Sequence, residues 1–213
     1  MATPPSHVSL SLVLGPSGRA ATDRDAASDA DVARGLISGQ DWAIAQTWHR
    51  FSPMVLATAL RVLGSKSAAE DIAQDVFYRV WRSAPTLREP DKLRSFVYSV
   101  AMRTLVSELR REKQRAWLHR NRRELMGDLG CEIESRDLLR KFHALLERLT
   151  PRDSLVFVLK RLDAMTVEEI AIIMGISEST VKRSLSRSSL RLARWINADP
   201  GLAGLFKRGE SRA

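Results

Sequence analysis

The apolar residues of this chain recur at three- and four-residue steps over most of its length. One such stripe runs from Trp42 to Leu63, a second covers 72–81, and a third begins at Leu93. This spacing places apolar side chains on one face of an α-helix, and no segment alternates with a period of two for long enough to indicate a strand. The sequence therefore predicts an all-α fold built from amphipathic helices.

Breaks in the helical pattern predict two small domains. The first 28 residues are rich in Ala, Ser, Pro and Asp without sustained periodicity, and Gly127 and Gly130 interrupt a densely charged stretch. Such segments are typical of flexible tails and linkers. The expected divisions are an N-terminal tail over 1–28, a domain over 29–115, a linker over 116–134, a second domain over 135–197 and a C-terminal tail over 198–213.

The charge of the chain favours a polyanionic partner. Lys and Arg total 34 against 25 Asp and Glu, which gives a formal net charge of +9. This excess attracts nucleic acid or an anionic membrane surface, but the apolar run over 8–14 is too short to span a membrane. The single cysteine, Cys131, and four scattered histidines do not have the spacing of metal ligands. We expect a cytoplasmic protein that has no membrane insertion, metal or cofactor and is not an enzyme.

A stretch in the second half shows two short helices joined by a tight turn. Thr166 is suited to cap the first helix, with Glu169 as its capping-box partner, and Gly175 follows where the turn needs a left-handed residue. Ser177 is suited to cap the second helix, whose buried side we expect to include Leu190. This is the pattern of a helix-turn-helix, which places its second helix in the major groove of DNA. The candidate DNA contacts are Ser177, Ser179, Thr180, Lys182, Arg183, Ser186 and Arg187.

Those candidates fall into two chemical kinds. The early polar residues of the second helix suit base edges, whereas Lys182, Arg187 and the later Arg191 suit phosphates. The alternative interpretation is a helical hairpin whose basic residues form a solvated face.

The run Ala69–Arg82, AEDIAQDVFYRVWR, carries a polar and partly acidic face opposite its apolar stripe. Asp71, Gln74, Asp75 and Tyr78 lie on that face at three- and four-residue steps. An acidic face on a basic protein favours a protein partner of basic character, and the alternative is an ordinary solvated helix face.

Three runs of this sequence together resemble one known family. The run over 69–82 resembles the polymerase-binding helix of sigma factors of the extracytoplasmic-function (ECF) group, which are bacterial transcription initiation factors. The run over 93–111, LRSFVYSVAMRTLVSELRR, resembles the helices that open and read the minus-10 promoter element. The stretch from Leu146 to Leu192, with LTPR, GIS and TVK, resembles the domain that reads the minus-35 element. The matches follow in the expected order over roughly 31–195, and the chain is identified as a member of this family.

The resemblance implies both partners and mechanism. The partners would be core RNA polymerase, contacted at its clamp and flap regions, promoter DNA, and an anti-sigma factor of the kind that commonly restrains this group. The loop over 83–95 would accept a flipped base, and binding energy alone would open the strands. The implied polymerase-binding residues are Asp71, Gln74, Asp75, Phe77 and Tyr78, and the implied minus-10 residues are Lys92, Arg94, Ser95, Arg103, Arg110 and Arg111.

The sequence departs from the family pattern at three DNA-facing positions. Phe96 replaces the usual Trp, Arg103 the usual Asn and Ser107 a frequent Asp, which bears on minus-10 recognition and melting. Two alternatives stay open. A helix-turn-helix regulator of the LuxR type would explain only the second domain, and an inactive sigma-like protein would occupy polymerase without promoter activity.

Overall fold

The computed structural model describes residues 27–118 and 133–198, and no strand occurs within these ranges. The predicted all-α class is confirmed. The predicted linker over 116–134 lies largely outside the described residues, as do most of both predicted tails. The described helices are α1 (Asp29–Ile37), α2 (Asp41–Leu63), α3 (Lys66–Ser83), α4 (Leu93–Leu118), α5 (Ile133–Glu147), α6 (Pro151–Arg161), α7 (Val167–Met174) and α8 (Glu178–Ala198), with short 3-10 turns at Ala84–Thr86 and Pro90–Lys92.

Side-chain caps and one glycine set the helix ends near the start of the fold. Ser28 caps α1 in a capping box with Asp31, and the hydrogen bonds from Ser28, with a further one from Arg34, lower the pKa of Asp31 to about 2. Gly64 ends α2 in the left-handed region at φ 68°. Ser65 then caps α3 by accepting from the backbone N–H of Ala68 at 3.3 Å, so the chain turns back within two residues.

Helices α1 to α4 form a first group around an apolar core. The tilted rings of Trp48 and Phe77 lie 4.7 Å apart, and Phe51 meets Tyr98 edge to face at 6.3 Å. These contacts fix α3 and α4 against α2. The fully or almost fully buried residues of this core include Val55, Ala59, Val62, Ala73, Val76, Val80, Val97, Ala101 and Leu105.

Helices α5 to α8 form a second group that packs directly against the first. Leu155, Leu159 and Ile170 are completely buried and belong to the same apolar cluster as the core of α1 to α4. A smaller cluster, which includes Leu146 and Leu149, holds α5, α6 and α8 together. The two groups therefore share one continuous core in this structure, and burial of apolar surface favours the closed arrangement.

Polar contacts also cross between the two groups. Asp163, in the loop after α6, accepts a hydrogen bond from the hydroxyl of Thr58 at 3.0 Å and forms an ion pair with Arg61. His143 of α5 places its Nε2 2.8 Å from the carbonyl oxygen of Val62. A Cβ at Gly64 would lie 2.8 Å from the His143 ring, so the α2 terminus requires glycine for close approach as well as for its backbone angle.

We predict that Asp163→Ala destabilises the closed arrangement. The Asp163 carboxylate is almost fully buried, so its loss leaves the Thr58 hydroxyl and the Arg61 guanidinium without their acceptor. The free energy of unfolding should fall by about 1–3 kcal/mol in urea titrations at pH 7. Small-angle scattering should show a larger radius of gyration.

The matched control is Glu70→Ala. Glu70 forms an exposed ion pair with Lys66 at 3.9 Å, so its removal should change the free energy of unfolding by less than about 0.5 kcal/mol. Equal effects of the two substitutions would show that the Asp163 contact does not hold the helical groups together.

Candidate nucleic-acid interface

Helices α7 and α8 form the helix-turn-helix that the sequence predicts. The hydroxyl of Thr166 accepts from the N–H of Glu169 at 3.1 Å, and the Glu169 carboxylate accepts from the N–H of Thr166 at 2.7 Å. This reciprocal capping lowers the pKa of Glu169, chiefly through the bond from the Thr166 backbone. Gly175 ends α7 at φ 63°, in the left-handed region. The predicted capping box and glycine turn are both confirmed.

The beginning of α8 presents three linked hydroxyls. Ser177 accepts from the backbone N–H of Thr180 at 3.3 Å and so caps the helix. Its hydroxyl also lies 3.0 Å from that of Ser179 and 2.9 Å from that of Thr180. Such groups donate and accept hydrogen bonds, and they stand at the end of the second helix from which base edges are read in this motif.

The charged residues of α8 follow on its exposed side. Lys182 pairs with Glu178 at 3.2 Å, and Nε of Arg183 lies 3.4 Å from the carbonyl oxygen of Ser179. Both pairings are weak, exposed contacts within one helix, so these cations remain available to phosphates. Ser186 is exposed on the same helix.

The expectation that Leu190 is buried is wrong. Its side chain is 62% exposed, whereas Val181, Ser184, Ser188 and Leu192 form the buried side of α8. Nine positions at 3.6 residues per turn place Leu190 on the side opposite Val181. The buried side accordingly includes two serines that an apolar pattern does not identify.

Arg187 is held by a buried carboxylate that sequence reasoning missed. Asp153 of α6 is completely buried and accepts from Nε of Arg187 at 3.0 Å and from Nη2 at 2.8 Å. The buried hydroxyl of Ser184 also donates to it. Burial raises the pKa of Asp153, but the hydrogen bonds from Arg187, Ser184 and Thr150 outweigh that effect and hold the pKa below its ordinary value. The two-point contact fixes the direction of the half-exposed Arg187 side chain.

The candidate minus-10 residues near the start of α4 have local partners. Lys92 pairs with Glu89 at 2.9 Å, and the guanidinium of Arg94 lies 5.2 Å from the ring centre of Tyr98. Ser95 is half-buried. These contacts orient the cations but leave both Lys92 and Arg94 exposed.

The remaining candidates lie further along α4. Arg103 donates from Nε to the carbonyl oxygen of Ser99 at 3.1 Å, and Arg111 lies 3.6 Å from the Glu108 carboxylate. Arg110 is exposed and has no ion pair with any residue in the described ranges. The structure thus brings six cations or hydroxyls onto one helix and the turn before it, but spreads them over most of its length.

The helix-turn-helix packs against this same helix. The first helix of the motif, α7, contacts α4, and Glu169 lies close enough to Arg94 for their charges to interact. Tyr98 is buried in this region, and burial raises the pKa of its hydroxyl. The candidate minus-10 and minus-35 residues therefore belong to one closed body.

The candidate polymerase-binding residues lie on α3, away from its buried stripe. Asp71 and Gln74 are exposed and form no hydrogen bond or ion pair with the residues that the structure describes. Tyr78 is 52% exposed. Asp75 is partly exposed and pairs with Arg79 at 2.9 Å. Asp71, Gln74 and Tyr78 thus offer an acidic, amide and aromatic surface to a partner.

Phe77 differs from the other four residues of this set. Its half-buried ring lies against Trp48 of α2 and packs against the core of the first group. The contact between Phe77 and Trp48 positions α3, and it thereby positions the exposed candidate residues on the same helix.

The described residues show neither a metal centre nor a membrane span. No group of three or more His, Cys, Asp or Glu in the two described ranges is arranged to hold a metal ion. No helix among them is long and apolar enough to cross a membrane.

Comparison with known proteins identifies the family. The chain matches the family model of sigma-70 region 2 over residues 47–115 and that of sigma-70 region 4 over residues 139–192. It is 35% identical over 136 residues to the ferric citrate uptake sigma factor FecI of Escherichia coli, which covers 60% of this chain and 76% of FecI. It is 29% identical to the RNA polymerase sigma factor SigV of Bacillus subtilis, over 64% of this chain and 80% of SigV.

Two solved structures share the fold. CnrH, solved in complex with the cytosolic domain of CnrY, superposes with a TM-score of 0.59 at 24% identity, over 80% of this chain and 98% of CnrH. RpoE of Bartonella quintana, solved with the anti-sigma factor NepR, has a TM-score of 0.54 at 18% identity, over 72% of this chain and 96% of RpoE. Both family models match in chain order, and the helix-turn-helix lies inside the second. The chain therefore belongs to the sigma-70 family and is a transcription initiation sigma factor of the ECF group.

Proposed function

We propose that this sigma factor docks on core RNA polymerase through the exposed face of α3 and reads promoters with α4 and α8. The observation that carries the proposal is the fixed, exposed beginning of α8, where Ser177, Ser179 and Thr180 stand ahead of Lys182 and Arg183. Hydroxyls suit base edges and cations suit phosphates, so this surface has the chemistry for minus-35 recognition. Arg187, held by Asp153, adds an oriented cation.

The polymerase-binding role of α3 rests on its free polar side chains. Asp71 and Gln74 lie beside Tyr78 on an exposed face, and a basic surface on the clamp of polymerase would complement them. Asp75 would also contact polymerase, after its ion pair with Arg79 is replaced by one with the polymerase surface. Phe77 would act indirectly by holding α3 on the core.

The minus-10 role belongs to α4 and the turn before it. Lys92, Arg94 and Ser95 would contact the flipped base and its neighbours, and Arg103, Arg110 and Arg111 would hold the strand backbone. Opening would use binding energy, with no bond hydrolysed and no cofactor. We assign minus-10 recognition and melting to a domain over 29–115, and minus-35 recognition to a domain over 135–197. We also propose that the protein acts in the cytoplasm.

Promoter binding requires the two helical groups to separate. The minus-35 and minus-10 elements lie about 25 base pairs apart, which is about 85 Å at 3.4 Å per base pair. The longest described helix, α4, has 26 residues, and at 1.5 Å per residue it spans only about 40 Å. A closed body of this size would not reach both elements, so binding energy from polymerase and DNA would offset the loss of the shared core.

We also propose that an anti-sigma factor can bind this chain. The structures of CnrH and RpoE that share its fold were solved with CnrY and NepR. Ile172 and Leu190, both more than half exposed on the helix-turn-helix, provide apolar surface for such a partner.

Run-off transcription with core polymerase tests the docking proposal. The double variant Asp71→Ala/Gln74→Ala should bind core at least about tenfold more weakly, because each change removes a polar contact worth about 1 kcal/mol. It should yield fewer promoter-specific transcripts, with unchanged thermal stability. The control Asp41→Ala removes an exposed carboxylate at the beginning of α2 and should leave both measurements unchanged.

The outcomes of that assay separate three interpretations. Normal core affinity of the double variant would refute the assignment of α3. Core binding by the wild-type protein without any transcript would favour an inactive sigma-like role, consistent with Phe96, Arg103 and Ser107 as departures at DNA-facing positions. DNA binding without core binding would favour a helix-turn-helix regulator.

Arg183→Ala should lower the salt dependence of minus-35 binding. Loss of one phosphate contact reduces the slope of log affinity against log salt by about 0.9. Fluorescence anisotropy with a labelled duplex between about 50 and 200 mM salt measures this slope. Arg161→Ala, an equal charge change at the end of α6, should leave the slope unchanged. An unchanged slope for Arg183→Ala would point to a contact other than phosphate.

Asp153→Asn should destabilise the protein in a pH-dependent way. The pKa of Asp153 is lower in the folded protein than the ordinary value of about 3.9, so its stabilising contribution is complete near pH 7 and is lost as pH falls below about 4. The wild type should exceed the variant by about 1–3 kcal/mol in free energy of unfolding at pH 7. Urea titrations from pH 7 to pH 3 should show this difference shrinking, and a constant difference would contradict an ionised Asp153.

A further inference from the structure

An open cleft with a volume of about 470 Å³ lies where α4 meets the second group of helices. This volume is within the usual range of small-molecule sites. Both helical groups contribute to the walls, so the cleft exists only while the groups are packed together. The lining residues are Arg110 of α4, Thr150, Pro151 and Arg152 at the beginning of α6, and Arg187 and Arg191 of α8.

Three of the four arginines in the cleft have no counter-charge. Arg110, Arg152 and Arg191 are exposed and form no ion pair or hydrogen bond with any residue of the described ranges. Arg187 alone is paired, through Asp153, which neutralises one charge of the four. The cleft therefore concentrates positive charge from three helices, and the beginning of α6 adds the positive end of a helix dipole.

The closed arrangement brings these like charges together at an energetic cost. Unpaired guanidiniums that face one space repel each other, and an anion between them would convert repulsion into attraction. Guanidinium groups bind phosphate oxygens through paired hydrogen bonds. Because the three free arginines come from separate helices, an anion with several charged oxygens would satisfy them better than a single carboxylate.

We propose that this cleft binds a compact polyphosphate, meaning a small molecule with at least two linked phosphates, and that the ligand bridges the two helical groups. DNA is the poorer occupant, because the closed body would not reach both promoter elements at once while Arg110, Arg152 and Arg191 line one cleft. A ligand that binds only the closed arrangement stabilises it in proportion to its concentration. Its effect on transcription rests on the proposed function, whereas its binding does not.

The test is calorimetric titration of the full chain with inorganic tripolyphosphate, without divalent cations. Saturable binding to one site is expected, with a rise in melting temperature. Arg110→Ser and Arg152→Ser should each weaken binding at least tenfold, because each removes a charge-assisted contact from a different helical group. Arg161→Ser makes the same charge change at the far end of α6 and should leave the affinity within about twofold, since exposed distant charges are screened by salt.

A second arm distinguishes the sources of the ligand. Tighter binding of adenosine triphosphate than of tripolyphosphate would indicate a ligand that carries a nucleoside. Equal or weaker binding of adenosine triphosphate would indicate an inorganic polyphosphate. Either result would support the cleft as a polyphosphate site. Equal losses in Arg161→Ser and Arg152→Ser would overturn the proposal in favour of diffuse attraction. An unchanged affinity in Arg110→Ser would overturn the bridging role.

Absence of tripolyphosphate binding at millimolar concentration would overturn the proposal altogether. If a short DNA duplex then bound more weakly to Arg152→Ser than to the wild type, the cleft would be a DNA-backbone site. Because tripolyphosphate binding needs no polymerase, this failure is separate from any failure in run-off transcription.

Discussion

The apolar core shared by the two helical groups is the interaction on which the rest of the structure depends. Leu155, Leu159 and Ile170 of the second group are as completely buried as Val55 and Leu105 of the first. A small domain buries a smaller share of its surface than a large one, so the contact between the groups enlarges the core of each. This packing places the helix-turn-helix on α4, and it determines which surfaces are exposed before polymerase or DNA binds.

A buried carboxylate gives α8, the second helix of the helix-turn-helix, its second constraint. Asp153 joins α6 to α8 through Ser184 and Arg187, which lie one turn apart on the same side of α8. A carboxylate without partners in this position would be strongly unfavourable, so all three groups are needed together. In the proposed function the same bonds would orient the Arg187 guanidinium toward a phosphate, since its side-chain entropy is lost during folding and not during binding. The proposal thus makes stability and DNA recognition depend on the same Asp153–Arg187 contact.

The sequence predicts the local features of this protein better than its long-range ones. The Thr166 cap, the Gly175 turn and the exposed position of Asp71 follow from residue type and helical spacing, and all are present. Asp153 with Arg187, separated by 34 residues, and Asp163 with Arg61, separated by 102, have no local signal. Their pairing depends on how α6 crosses α8 and α2, which periodicity does not encode. The prediction that Leu190 is buried is wrong for a related reason, because Ser184 and Ser188 occupy buried positions of α8 where an apolar stripe is expected.

The distribution of charge bears on the balance between the closed arrangement and the open one that we propose. Apolar burial and the contacts of Asp163 favour closure, whereas the unpaired Arg110, Arg152 and Arg191 oppose it. In an open form these arginines would separate, and each could meet a phosphate of a different promoter region without the repulsion of the cleft. The anions present would therefore set the balance, since compact ones favour closure and extended ones favour opening. The three unpaired guanidinium groups would thus make the conformation of the free protein depend on the charged partners that it meets.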